Sequence, residues 1–242
     1  MLRKLFGDLI PKKAPSQIRI DHLRELAKLQ HLFPEKHVEY LRKMRVDGIE
    51  PRVIYDVGSN VLHWMREAKT VWPDATYFAF EAMREVAPLY DAESVQYHLG
   101  VLSDRDGREV TFYVSPEHPG GNSYYRENPD VSRGAEKHFL DSNARVLEAV
   151  TLDAVVRAKG WPMPDLIKMD VQGAEMDVLK GAQHCLRTCR NLILELQTVE
   201  YNRGAPLRNE VIAYTESLGF ALQDGPFCDG GCDGDYHFAA TR

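Results

Sequence analysis

The chain has 242 residues, 44% hydrophobic and 27% charged, with a net charge of −6 at neutral pH. That length can bury a substantial core in one domain with an appendage, and the acidic balance argues against a general nucleic-acid binder, which carries a basic patch. No apolar run approaches the roughly 20 residues that cross a bilayer, and the start, MLRKLFGDLIPKKAP, lacks a long hydrophobic segment and a small-residue cleavage site, so a cytoplasmic protein is expected.

From 17 to 47 the apolar residues Ile18, Ile20, Leu23, Leu26, Leu29, Val38, Leu41 and Met44 recur with helical spacing. Pro34 and Glu35 suit the first turn of a second helix, and Gly48 and Pro51 stop it. This predicts a helical N-terminal extension over 1–50, its first residues a frayed lead, ahead of a main domain over 51–242. The helices are equally suited to capping that domain or to pairing two copies of the chain.

Beyond Arg52, strand patterns at 53–57, 76–80, 95–102, 109–114, 165–170, 191–197, 218–223 and 236–241 alternate with helical ones. The helices are expected at 62–70, 83–91, 151–159, 173–187 and 207–217. Such alternation predicts a parallel sheet covered on both faces. The last two strands follow one another without a helix, which predicts an antiparallel hairpin and a mixed sheet. The irregular stretch 115–133 is long enough to be a lid. Of the four cysteines, Cys185 and Cys189 are four apart on an expected helix, and Cys228 and Cys232 flank a Gly/Asp turn. The C-x3-C spacing favours reduced structural thiols over zinc.

Ligands of doubly wound sheets bind beyond the carboxyl ends of the strands. Here those ends carry Asp56 and Gly58, Glu81, Gly100 to Asp104, Asp170 and Gln172, and Glu195 and Gln197. Several carboxylates at one rim make a poor cradle for a pyrophosphate but suit a cation with hydroxyl groups. Glu81 stands where an acid holds a ribose 2′-OH, Gly58 permits close approach, and Asp56 can meet an ammonium. S-adenosylmethionine satisfies all three. A nicotinamide-dependent oxidoreductase and a non-catalytic nucleoside-binding protein are the alternatives; the absence of a G-x-G-x-x-G run weighs against the former.

The segments VIYDVGSN, FAFEAM, GVLSDRDG, DLIKMDVQGAEMDVLKGA, LILELQTVEYNRGAP and DGDYHF together resemble the FkbM family of S-adenosylmethionine-dependent methyltransferases, from Arg52 to the C-terminus. The resemblance implies a class I methyltransferase fold: a Rossmann-like three-layer α/β sandwich with a mostly parallel seven-stranded sheet and an antiparallel last strand. It also implies O-methylation of a sugar, glycan or polyketide-like hydroxyl. By position, Asp56, Gly58, Ser59 and Asn60 match the methionine-side turn, and Glu81, followed by Ala82, matches the ribose ligand. Val101, Leu102, Ser103 and Asp104 flank the adenine. The family usually has glycine where this chain has Leu62, and commonly proline at the place of Ala82.

For the proton of the acceptor hydroxyl, Asp170 is the first candidate and His237 the second, as histidine titrates near neutrality. Glu175, in a first helical turn, reads as a cap, and Lys168 as an ion-pair partner of Asp170 or Glu195. Gln172, Glu195 and Gln197 are candidate acceptor contacts, as are Tyr201 and Asn202. Asn122, Ser123, Tyr124 and Tyr125 could clamp a sugar from the long loop, or simply be solvated. Too few oxygens converge for a hard cation, so metal independence is expected.

Overall fold

The computed structural model describes residues 18–132 and 135–242. The segment 1–17, read above as a frayed lead, and Arg133 of the long loop lie outside the described residues.

The organising strand is β1 (Val53–Val57), an apolar run broken by one charge, Asp56. It is flanked by two parallel partners, β2 (Thr76–Glu81) and β6 (Leu166–Met169). In chain order the elements are α1 (Ile20–Lys28), α2 (Glu35–Val46), β1, α3 (His63–Val71), β2, α4 (Ala87–Ala92) and β3 (Gln96–Leu99). Then come β4 (Arg108–Phe112), α5 (Ala135–His138), β5 (Arg145–Ala149), α6 (Leu152–Lys159), β6, α7 (Glu175–Lys180) and α8 (Gln183–Leu186). The chain closes with β7 (Asn191–Gln197), α9 (Arg208–Ser217), β8 (Phe220–Asp229) and β9 (Asp233–Ala240). The main sheet has seven strands in the order β3-β2-β1-β6-β7-β9-β8, with β9 antiparallel to both its neighbours. This is the class I methyltransferase arrangement expected above.

Period-two alternation assigns the faces. Ile54, Leu166 and Ile193 point to one side, where Leu41 and Met44 of α2 and Trp64, Met65 and Ala68 of α3 join them. Tyr55, Val57, Ile167, Met169, Leu192 and Leu194 point to the other, packed by Val155 and Val156 of α6, Val178 and Leu179 of α7 and Val211 of α9. The N-terminal helices therefore share the core of the sheet. The chain leaves β1 towards β2 and β3 and returns to β6 on the other side of β1, so a crevice opens at the carboxyl ends of β1 and β6.

Several boundaries differ from the sequence reading. The 109–114 run becomes β4 and leaves the main sheet, pairing instead with β5, which the reading missed. β5 has no strong apolar face; its Val146 is 66% exposed. The helix expected over 173–187 divides into α7 and α8. Gly181 lies at the break, where a Cβ would overlap the Ser103 carbonyl oxygen. The strand expected over 218–223 continues to Asp229, because β9 supplies a partner along that length. Cys185 and Cys189 are buried free thiols in the core beneath α8.

The turn after β1 is the tightest piece of the fold. Gly58 has φ +79°, and a Cβ there would overlap the Asp170 carbonyl oxygen, so glycine is required both by backbone shape and by β6. Leu62, where the family favours glycine, has φ +69°. The left-handed backbone costs a residue with a side chain about 1–2 kcal/mol. Leu62 is nevertheless fully buried in the core under the N-terminal helices, and emptying such a site costs about 2–5 kcal/mol. Packing wins. Leu62→Gly is expected to lower thermal stability despite relieving the backbone; a Tm equal to or above that of the parent would refute this account.

Candidate active site

Two cavities open at the carboxyl rim and share Gly58, Asn60 and Asp170 as lining residues. The first is the smaller of the two. Gly58, Asn60, Glu81, Ala82, Val101 and Leu102 line it, at the ends of β1, β2 and β3. Glu81 is buried and grips the turn: its carboxylate accepts from Asn60 N at 2.8 Å and Met83 N at 2.9 Å. Burial raises its pKa, against the pull of these amides. Two buried polar atoms of lining residues have no hydrogen-bond partner, Oδ1 of Asn60 and Nδ2 of Asn122. An acceptor and a donor left open in one cavity are what a polar nucleoside would satisfy.

The loop 115–132 walls this first cavity through Pro119, Gly120, Asn122, Ser123 and Tyr124. The residues expected to clamp a sugar thus face the space at the ends of β1 to β3. Tyr125 is not among the lining residues; its hydroxyl, like that of Tyr124, donates to Asp177, at 3.1 and 3.2 Å. Arg108 ties the same carboxylate at 3.0 Å to Asp104 at 2.8 Å and Ser103 Oγ at 3.0 Å. Ser103 and Asp104, expected beside adenine, therefore brace the loop, while Val101 and Leu102 remain on the cavity wall.

The second cavity, about 1390 Å³, lies on the other side of Asp170. Its floor is a charge cluster. Lys168 and Asp56 are register partners on β6 and β1 and point to one face. Lys168 Nζ stands 3.2 Å from Asp170 and 3.8 Å from Asp56, and Gln172 donates to Asp170 at 2.8 Å and to Glu195 at 2.7 Å. Burial opposes the charge of Asp170, but Lys168 and hydrogen bonds from Glu195 and Gln172 hold its carboxyl below the usual range. Burial and the adjoining Asp170 push Glu195 well above its ordinary value. The pair is unequal: charge is favoured on Asp170, beside the Lys168 ammonium, and disfavoured on Glu195. Asp56 lies under the turn, lines neither cavity, and is pushed up to about 6 by burial despite Lys168. Its expected contact with a ligand ammonium is replaced by the Lys168 ammonium. Ser59 lines the second cavity, and its hydroxyl is held by the Asp56 carbonyl.

His237 does not reach the site. It sits in the register row of Asp56 and Lys168, with Ile193 between. Its ring nitrogens are engaged by Tyr40 and Asn191, each at 3.0 Å. Burial lowers its pKa to about 4, so it is a neutral sheet histidine and no base for the acceptor. Gln197 and Asn202 are buried and bond to each other, and Asn202 Nδ2 donates to the Tyr125 carbonyl at 2.7 Å. They anchor the loop. Tyr201 lines a third cleft and donates to Glu127.

The sequence reading missed the far walls of the second cavity, Phe33–His37 at the start of α2 and Asp229, Asp233 and Asp235 on the β8–β9 hairpin. The acids were visible in CDGGCDGD, but only strand pairing turns them towards one space. His37, Cys228 and Asp235 bring ligand atoms within 4.8 Å of one another. Trp64 Nε1–H donates to His37 Nε2 at 2.8 Å, so the ring hydrogen is on Nδ1, 3.2 Å from Asp235. That tautomer has no lone pair at Nδ1 for a cation, and the three groups form a hydrogen-bond chain joining α3, α2 and β9.

Sheet order and rim together define a class I methyltransferase fold. A family model described as the methyltransferase FkbM domain matches residues 55–222, and the chain belongs to that family. It is 24% identical over 182 residues to the hexuronic acid methyltransferase AglP of Haloferax volcanii, covering 75% of this chain and 70% of that protein. It is 28% identical over 148 residues to Methyltransferase 1 of Beauveria bassiana, covering 53% of this chain and 57% of that one. Among solved structures it is similar to an O-methyltransferase family protein from Burkholderia thailandensis, at 9% identity and a TM-score of 0.49, over 96% of this chain and 66% of that chain.

Glu175 offers a test of the rim's electrostatics. It is buried, accepts from Val171 N at 2.8 Å, and burial pushes its carboxyl up to about 7. In the unfolded chain it titrates near ~4.3, so between the two values only the folded state holds the proton. Its contribution to stability is complete below the lower value and is lost as pH rises through 7. Glu175→Gln keeps the acceptor without the titration. The Tm of the variant is expected to gain on the parent from pH 5 to pH 8, by up to about 1.4 kcal/mol per pH unit in stability. A gap independent of pH would contradict the assignment.

Proposed function

We propose that the protein is an S-adenosylmethionine-dependent O-methyltransferase acting on a hydroxyl of a sugar, glycan or related natural product. The observation that carries the reading is the position of Asp170, a carboxyl paired with Lys168 on the shared wall of two cavities at the carboxyl rim. The sugar class is supported by the name of the archaeal relative, a hexuronic acid methyltransferase.

The first cavity would hold the cofactor. Glu81 is placed for the ribose hydroxyls, Asn60 and Asn122 offer the open acceptor and donor, and Val101 and Leu102 give apolar wall for the base. S-adenosylmethionine supplies a methyl group already activated on a positively charged sulfur. What remains for the protein is alignment and a place for one proton. A hydroxyl in the second cavity can donate to Asp170. On transfer of the activated methyl group to its oxygen, that hydroxyl's proton would become strongly acidic and would pass to Asp170. A carboxylate of low pKa then suffices to take it. Lys168 keeps Asp170 ionised beforehand, and Gln172 fixes its other oxygen. Burial and the neighbouring Asp170 both oppose charge on Glu195, which favours keeping the negative charge on Asp170. No step calls on a metal ion.

Asp170→Asn is expected to lower kcat at least about 100-fold, the span of a lost proton acceptor, with S-adenosylhomocysteine affinity changed less than threefold. Glu81→Gln should do the reverse, weakening that affinity at least tenfold. Titration calorimetry and a methyl-transfer assay separate the two. Failure of the parent protein to bind S-adenosylhomocysteine would sink the reading outright. His237→Gln should leave kcat within about threefold and act on Tm alone; a loss as large as that of Asp170→Asn would return His237 to the chemistry.

A further inference from the structure

The second cavity is lined by more acids than bases. Its walls carry Glu35 on α2, Asp229, Asp233 and Asp235 on the β8–β9 hairpin, and Asp170 on the rim. Its cations are few. Lys168 is committed to Asp56 and Asp170. His37 is a neutral imidazole, because Trp64 occupies Nε2 while Nδ1–H meets Asp235. His63 donates to the Leu26 carbonyl, and burial lowers its pKa. Lys36 stands exposed at the margin.

Asp229 and Asp233 make no ion pair among the described residues; their side-chain partners are the Gly231 amide, at 2.8 Å, and the Cys232 thiol, at 3.6 Å. Neutral donors leave the charge in place. Burial, together with Asp170, Asp235 and Asp229, pushes Asp233 upward, as expected where like charges face one space. Phe33 and Trp64 add aromatic surface to the same cavity, on which a cation or the C–H face of a sugar can rest. An acidic sugar entering here would meet repulsion from three sides.

We propose that the acceptor is positively charged: an amine-bearing sugar or polyol whose hydroxyl meets Asp170 while its ammonium group lies between Asp229 and Asp233. This rests on the methyltransferase reading above and specifies the substrate class of the same site.

The test uses the full chain saturated with S-adenosylhomocysteine, titrated with the methyl glycosides of glucosamine, glucose and glucuronic acid and followed by ligand NMR. The glucosaminide is expected to bind at least tenfold tighter than the glucoside, about 1.4 kcal/mol, and the glucuronide weakest. In the double variant Asp229→Asn, Asp233→Asn the advantage should shrink below threefold, with S-adenosylhomocysteine affinity unchanged as the check on folding. Should that variant not fold, raising salt from about 20 to 300 mM on the parent protein must narrow the same gap, since the screening length falls from roughly 20 Å to about 6 Å over that range. Equal or tighter binding of the glucuronide, an advantage untouched by both the variant and salt, or no binding of any of the three overturns the proposal. S-adenosylhomocysteine binding is read separately, so loss of the charge preference leaves the methyltransferase reading intact, and loss of cofactor binding does not depend on the sugars.

Discussion

One buried ammonium group organises the functional rim. Lys168 lies on a central strand with Asp56 beside it, Asp170 above it and Glu195 and Asp235 within its field. Burial alone would strip its proton, yet the surrounding carboxylates outweigh that and raise its pKa. Removing one member of such a buried set leaves an uncompensated charge, a loss of about 3–5 kcal/mol. The cluster is thus an unlikely product of stability alone, since an apolar replacement would pack as well. What the ammonium does is positional: it favours charge on Asp170, the carboxyl nearest to it, over Glu195.

The fold around the cluster was largely legible in the sequence, because local rules and tertiary context agree there. VIYDV, DLIKMD and LILELQ are apolar runs of strand length between helical patterns, and they became β1, β6 and β7. Where the rules give weak signals the reading failed. RVLEA turns only Leu147 and Ala149 towards the core, and 109–114 carries a strand pattern without any indication of its partner. Gly181 breaks a helix for a reason located at Ser103, far away in the chain.

The site was legible by strand end but not by direction. Asp56, Glu81, Asp170 and Glu195 lie at one rim as anticipated, yet Asp56 turns beneath it towards Lys168. His237 and Asn202 look like chemistry in one dimension, being polar and near strand ends. Their partners, Tyr40 and Asn191 for the first and Gln197 and Tyr125 for the second, come from distant segments. Conversely, His37 and Trp64 gave no sign of forming a chain with Asp235, because three separate elements deliver them.

The origin of the outer cavity walls bears on how such proteins diversify. Phe33–His37 precede, and Cys228–Asp235 follow, the stretch 55–222 that matches the family model, whereas Gly58, Glu81, Val101 and Asp170 fall inside it. On the reading proposed above, the cofactor side lies wholly within the family stretch, whereas the acceptor side is closed by segments from outside it. Changes in those two outer segments would then reshape the acceptor wall without touching the cofactor wall.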